Sequence, residues 1–318
     1  MMNWKQRGRL GLLLWSALVM PVLAADAAGP GLPAVDVGRI ERLADLPGRG
    51  LAPRHVDVWL PEGYTPTRRY HVLYMHDGQN LFDGRLNWTQ KAWDVHRAVT
   101  RLMRAGRIPD TLIVGIWNTG ETRFAEYEPQ GFLALADEAT RREYTEEASL
   151  GRVRSDDYLR FIVEELKPVI DRRYATVPGP EGTAIVGSSM GGLISLYALC
   201  EYPQVFGAAA GLSTHWVGKP PAWGRERTRN AALPLAAMNY LMRHLPDPAT
   251  HRVYTDRGDD WLDSLYEPAH RMVEEVLRDR GYGPAQAQLA VVHGTGHSEA
   301  DWAARIEGVL AFLLSPRR

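Results

Sequence analysis

One cysteine, Cys200, is all that the 318 residues contain. Neither an intrachain disulfide nor a cysteine-based zinc cluster is therefore available to the chain. An excess of either charge is also missing, with 37 Lys and Arg against 38 Asp and Glu, and this removes the basic footprint of a nucleic-acid binder. There is no internal repeat and no low-complexity tract. Beyond the first two dozen residues no run is apolar enough to cross a bilayer. The remaining composition, 45% hydrophobic and 24% charged with 30 Gly and 21 Pro, excludes collagen-like, disordered and coiled-coil chains. It leaves an enzyme or a binding protein with ample material for a core.

The N-terminus carries a leader pattern. Lys5, Arg7 and Arg9 precede an apolar run at 10–20, and Pro21-Val-Leu-Ala24 closes it. This layout predicts a secretory signal peptide at 1–24, cut after Ala24, since the run is too short and too broken for a membrane anchor. The protein is expected to be exported, periplasmic or secreted, and to do without disulfides. Residues 25–36, rich in Ala, Gly and Pro, read as a linker, and 37–318 as a single domain.

Within that domain short β-type runs alternate with amphipathic ones. Strands are expected at 55–60, 70–75, 111–117, 183–186, 205–212, 252–255 and 288–292. Helices are expected at 87–107, at 155–174 with Ser155 as N-cap, and at 190–201, 235–245, 262–280 and 299–314. Strict alternation implies an α/β fold, a mostly parallel, doubly wound sheet flanked by helices on both faces. Two segments break it, 121–152 and the Arg-rich 218–230. Both follow strands and so should insert at the carboxyl edge, where open α/β sheets bind ligands.

Gly187-Ser188-Ser189-Met190-Gly191-Gly192 stands between a strand and a helix and satisfies G-x-S-x-G with Ser189 at its centre. An abrupt strand-to-helix turn leaves the central residue strained and proud of the sheet, and crowds positions two before and two after, which then favour Gly. The helix N-terminus presents free N–H groups to an oxyanion. A serine needs a general base oriented by an acid, and on this fold both follow it, acid first. Of the six histidines after Ser189, His293 and His297 flank the loop beyond the last strand, and His297, followed by the capping-type Ser298, is favoured. The acid is expected after the preceding strand, where Asp256, Asp259, Asp260 and Asp263 all occur.

These residues resemble the esterase-D-like, or putative-esterase, branch of the α/β-hydrolases, which includes siderophore esterases, feruloyl and acetyl-xylan esterases and antigen-85-type acyltransferases. The resemblance runs from about 55 to 314. It rests on Met75-His-Asp-Gly-Gln-Asn-Leu-Phe82, Gly187-Ser-Ser-Met-Gly-Gly192, Gly258-Asp-Asp260 and Gly296-His297 with Trp302 behind it. It implies an α/β-hydrolase fold with Ser189 as nucleophile, His297 as base and Asp260 as acid, Asp259 being the alternative. It further implies an oxyanion hole made by the Met190 and Gln79 amides, with Asp77 and Gly78 shaping the second of these turns.

The expected activity is that of an exported serine esterase, acting through an acyl-enzyme on a small-molecule ester with no cofactor and no metal. An acyltransferase with the same triad and a non-catalytic binding protein on the same fold are the alternatives. A metallohydrolase built on His76 and Asp77 lacks recognisable ligand spacing. Substrate contacts are expected from Asp77, Trp117, Arg123, Trp216 and Arg225.

Overall fold

The computed structural model describes residues 30–217 and 231–316. Apolar runs too short for helices form the interior strands, β3 (His71–His76), β4 (Thr111–Ile116), β5 (Thr183–Ser188) and β6 (Ala208–Leu212), buried on both faces. With β1 (Arg39–Gly48), β2 (Leu51–Leu60), β7 (Arg252–Gly258) and β8 (Ala287–Val292) they make one eight-stranded sheet in the order β1-β2-β4-β3-β5-β6-β7-β8. β1–β2 and β2–β4 are antiparallel, and every other pairing is parallel. This is the mostly parallel, doubly wound sheet of an α/β-hydrolase.

Alternate strand residues feed two cores. Val72 and Tyr74 of β3 face one way, and Leu73 and Met75 the other. On the second face α1 (Val95–Arg104) buries Val95, Ala98, Val99 and Leu102, an i, i+3, i+4, i+7 stripe, beside the last helix. Each of the Val and Leu side chains contributes about 1.5–3 kcal/mol by leaving water. α1 begins at Val95, not at 87 as its sequence suggests. Asn87 instead ties a local turn, accepting from the Thr89 amide and hydroxyl and donating to the Lys91 carbonyl, a competition that Asn side chains commonly win.

The insertion at 121–152 folds into three short helices, α2 (Arg123–Tyr127), α3 (Gln130–Ala134) and α4 (Glu138–Ala148). α5 (Ser155–Arg160) continues through a π turn into α6 (Lys167–Arg173). Ser155 lies inside α5, and its hydroxyl accepts the Gln130 amide, tying the insertion down. Then come α7 (Met190–Glu201), α8 (Ala232–His244), α9 (Glu267–Asp279) and α10 (Glu299–Leu314). Among the described residues no helix is long and apolar enough to cross a membrane. The leader expected at 1–24 and the Arg-rich loop at 218–230 lie outside the described residues.

Candidate active site

β5 runs straight into α7 through Ser189, whose φ of 56° and ψ of −125° are strained for a residue with a Cβ. The turn closes because Gly187 has no side chain. A Cβ there would sit 2.5 Å from the Gly191 carbonyl carbon. Gly191 faces the His76 Cβ, 3.3 Å from where its own Cβ would stand, a tight fit. Ser189 is thus held half-exposed above the carboxyl edge of the sheet, with the Met190 amide in the first turn of α7, where helical geometry supplies no acceptor.

A second turn faces it. After β3, Asp77 adopts a left-handed conformation (φ 55°) and opens a 3-10 turn, Gly78–Asn80. The strain is held by hydrogen bonds. Asn118 Nδ2 and Arg123 Nε donate to Asp77 Oδ1 at 2.7 and 2.8 Å, and Arg123 Nη2 donates to Oδ2 at 2.8 Å. Burial works to raise the Asp77 carboxyl, but the Arg123 charge and these hydrogen bonds hold it below its ordinary value. His76, next to it, points into the core with Nδ1 2.8 Å from the Tyr158 hydroxyl, and burial pushes its imidazole down to about 3.

His297 stands between β8 and α10, whose N-cap is Ser298, accepting the Asp301 amide. Its Nδ1 lies 2.7 Å from Asp263 Oδ1, and the Asp263 side chain is fully buried. Because a carboxylate only accepts, Nδ1 carries the proton and Nε2 is left free as an acceptor. Burial tends to raise Asp263, and His297, Ser213 and the Gly258 amide together hold it below the usual value. The two loops touch because residue 258 is Gly: a Cβ there would lie 2.1 Å from the Thr295 carbonyl oxygen. Trp302 packs edge-on to the His297 ring at 5.1 Å. Ser189 and His297 line one cleft of about 700 Å³ with Asp77, Gln79, Trp88, Trp117, Asn118, Arg123, Phe124 and Glu299 among its walls.

The sequence profile of the family described as "Putative esterase" matches residues 52–313. The chain belongs to the putative-esterase family. It is accordingly a carboxylic-ester hydrolase. Among relatives, the Bacillus subtilis ferri-bacillibactin esterase BesA is 29% identical over 170 residues, 51% of this chain and 54% of that protein. An endo-1,4-beta-xylanase/feruloyl esterase of Xylanibacter ruminicola is 23% identical over 252 residues, 77% of this chain and 27% of that protein. In fold, the chain matches an enterobactin esterase from Shigella flexneri at a TM-score of 0.62 and 18% identity, over 89% of this chain and 61% of that one. It also matches a ferulic acid esterase of Anaeromyces mucronatus at 0.60 and 17%, over 89% and 93%.

In this putative esterase the expected site is brought together with two corrections. Asp260 does not reach His297. It is exposed, and its Oδ1 accepts from the neighbouring Trp261 amide. Asp259 pairs instead with His293, whose side chain is 82% exposed. The acid that meets His297 is Asp263, seven residues past Asp256 and flanked by the buried Leu262 and Tyr266, an inward-facing pattern that the sequence does show. Trp216 does not line the cleft; the chain turns inward after β6 and buries it in the core at 2% exposure. Trp117 and Arg123 do line it, though Trp117 Nε1 is engaged by Asp57 at 2.8 Å. Arg225 lies outside the described residues. Trp88, 92% exposed at the cleft, was not singled out by sequence.

Proposed function

We propose that this chain is an exported serine esterase working through an acyl-enzyme, with Ser189, His297 and Asp263 as its triad. Ser189 Oγ attacks the ester carbonyl while His297 Nε2 takes its proton. Asp263 holds the imidazole in the required tautomer and stabilises the imidazolium. The carbonyl oxygen becomes an oxyanion facing the Met190 and Gln79 amides, both at helix starts. His297 then returns the proton to the departing alkoxide, and water repeats the sequence to free the acid. The observation that carries this reading is the strained Ser189 sharing one cleft with His297, itself anchored on a buried carboxylate.

The substrate proposed is a small-molecule ester with an aromatic portion. Trp88, Trp117 and Phe124 on the cleft wall and relatives described as feruloyl and ferri-bacillibactin esterases support it. Export rests on the charged-then-apolar leader at 1–24. Replacing Ser189 with Ala should lower kcat on a p-nitrophenyl ester by roughly 10⁴ to 10⁶ and abolish labelling by a fluorophosphonate, with an unchanged thermal melt. Undiminished hydrolysis by the variant would overturn the assignment.

A further inference from the structure

Behind the proposed acid lies a hydroxyl whose hydrogen bonds can be counted completely. Ser213 directly follows β6, adopts φ 45° and is fully buried. Trp302 Nε1 donates to its Oγ at 2.9 Å and Arg305 Nη2 at 2.8 Å, both from α10. An indole N–H and a guanidinium cannot accept, so these two donors occupy both lone pairs of the hydroxyl. Its one proton is thereby directed to its third neighbour, Asp263 Oδ2. That oxygen also takes the Gly258 amide at 2.7 Å, which leaves Oδ1 for His297.

The charge of Arg305 is balanced elsewhere. Its Nε and Nη2 form a fork on Asp256, at 2.8 and 2.9 Å, with the Asp256 side chain fully buried. Asp256 also accepts the Ser213 amide at 2.7 Å and the Tyr254 hydroxyl at 2.9 Å. Two carboxylates, Asp256 within β7 and Asp263 just beyond it, thus have different duties. Asp256 neutralises Arg305, and Asp263 keeps its charge for His297. The chain from Asp256 through Arg305 and Ser213 to Asp263 joins β6, β7 and α10, and α10 is the helix that His297 leads into.

We propose that Ser213 and Arg305 are positioning residues of the reaction: the Ser213 hydroxyl, oriented by Arg305 and Trp302, locks the Asp263 carboxylate so that one oxygen faces His297. This rests on the triad reading given above. A carboxylate freed from this lock rotates, and it also loses a hydrogen-bond donor. It then attracts the imidazolium more strongly while orienting it less well.

Two variants test it, Ser213→Ala and Ser213→Gly, compared with the wild type and Ser189→Ala on p-nitrophenyl acetate from pH 5 to 9. Both remove the hydroxyl, but glycine also relieves the positive φ. The expected result is a fall of about 10- to 100-fold in kcat for both, with KM within about twofold. The acidic limb of the kcat/KM profile should move up by roughly 0.5–1 pH unit, because a less stabilised Asp263 favours the protonated imidazole. Near-wild-type activity of Ser213→Gly, or a loss of activity in both with an unmoved acidic limb, would assign the effect to backbone or packing and overturn the proposal. Should Ser189→Ala remain active, the triad reading fails. Should Ser189→Ala be inactive while the Ser213 variants behave as the wild type, only the positioning role fails.

Discussion

Two histidines in the loop after β8 each hold an aspartate at 2.7 Å, and each pair is 34 residues apart in sequence. His293 with Asp259 is 82% and 35% exposed, and His297 with Asp263 is 12% and 0% exposed. Distance does not separate them; burial does. In water a pair at contact gains little, because solvent screens it and the side chains lose freedom. Under a protein surface the same contact fixes a tautomer and an orientation that nothing else competes for. The sharpest way to break the comparison is therefore to neutralise each acid in turn. Asp263→Asn, which offers His297 an amide and the wrong tautomer, should lower kcat by about 10⁴. Asp259→Asn and His293→Asn should leave kcat and the melting temperature within error of the wild type. Equal losses from Asp263→Asn and Asp259→Asn would end the distinction.

The same contrast holds for ion pairs that do no chemistry. Arg54 on β2 grips Glu126 on α2 through Nη1 and Nη2, at 2.8 and 2.9 Å, and the side chains are 0% and 1% exposed. Arg271 and Glu267 on α9 are closer, at 2.6 Å, but 76% and 45% exposed. Glu126→Ala strands a buried guanidinium and should cost about 3–5 kcal/mol in urea unfolding, a large share of a typical domain's 5–15 kcal/mol. Glu267→Ala should cost roughly 0.3–0.5 kcal/mol. The Glu126 variant should lose activity as well, since α2 also carries Arg123, the partner of Asp77. Comparable costs at the two sites would show that burial is not what matters.

Burial also explains what the sequence could and could not convey. The interior strands are legible because each carries a short, mostly apolar run, and the nucleophile turn because six consecutive residues encode it. His297 is found by its place after the last strand and its capping Ser298. β1 is not legible: half-exposed along its length and pairing only with β2, it shows no alternation clean enough to mark an edge strand. Asp260, the acid expected from the sequence, fails to meet His297 for a non-local reason. Four aspartates stand between 256 and 263, and which of them meets His297 depends on Gly258 lying against Thr295, almost forty residues downstream. Trp216 is ambiguous in the sequence for a similar reason, because an aromatic after a strand is equally able to face the ligand or the core.

A further acid sharpens the comparison, since Glu128 is buried beside a hydroxyl instead of a cation. It caps α2, is 2% exposed, and its Oε2 has no hydrogen-bond partner. Burial pushes its carboxyl up to about 8, and the Tyr144 hydroxyl on α4 draws it back only in part. The native state therefore keeps a proton that the unfolded chain releases near the ordinary value of 4.5. The stability tied to that proton is fully present below 4.5, is lost as the pH rises, and is gone once it passes 8. Glu128→Gln, permanently neutral, removes the dependence. Its melting temperature should match the wild type near pH 5 within a few degrees and exceed it at pH 9, with the difference growing up to about pH 8 and level beyond it. Parallel curves for the two proteins would mean that Glu128 is already ionised in the fold, and that burial without a cation is tolerated there at no cost in protons.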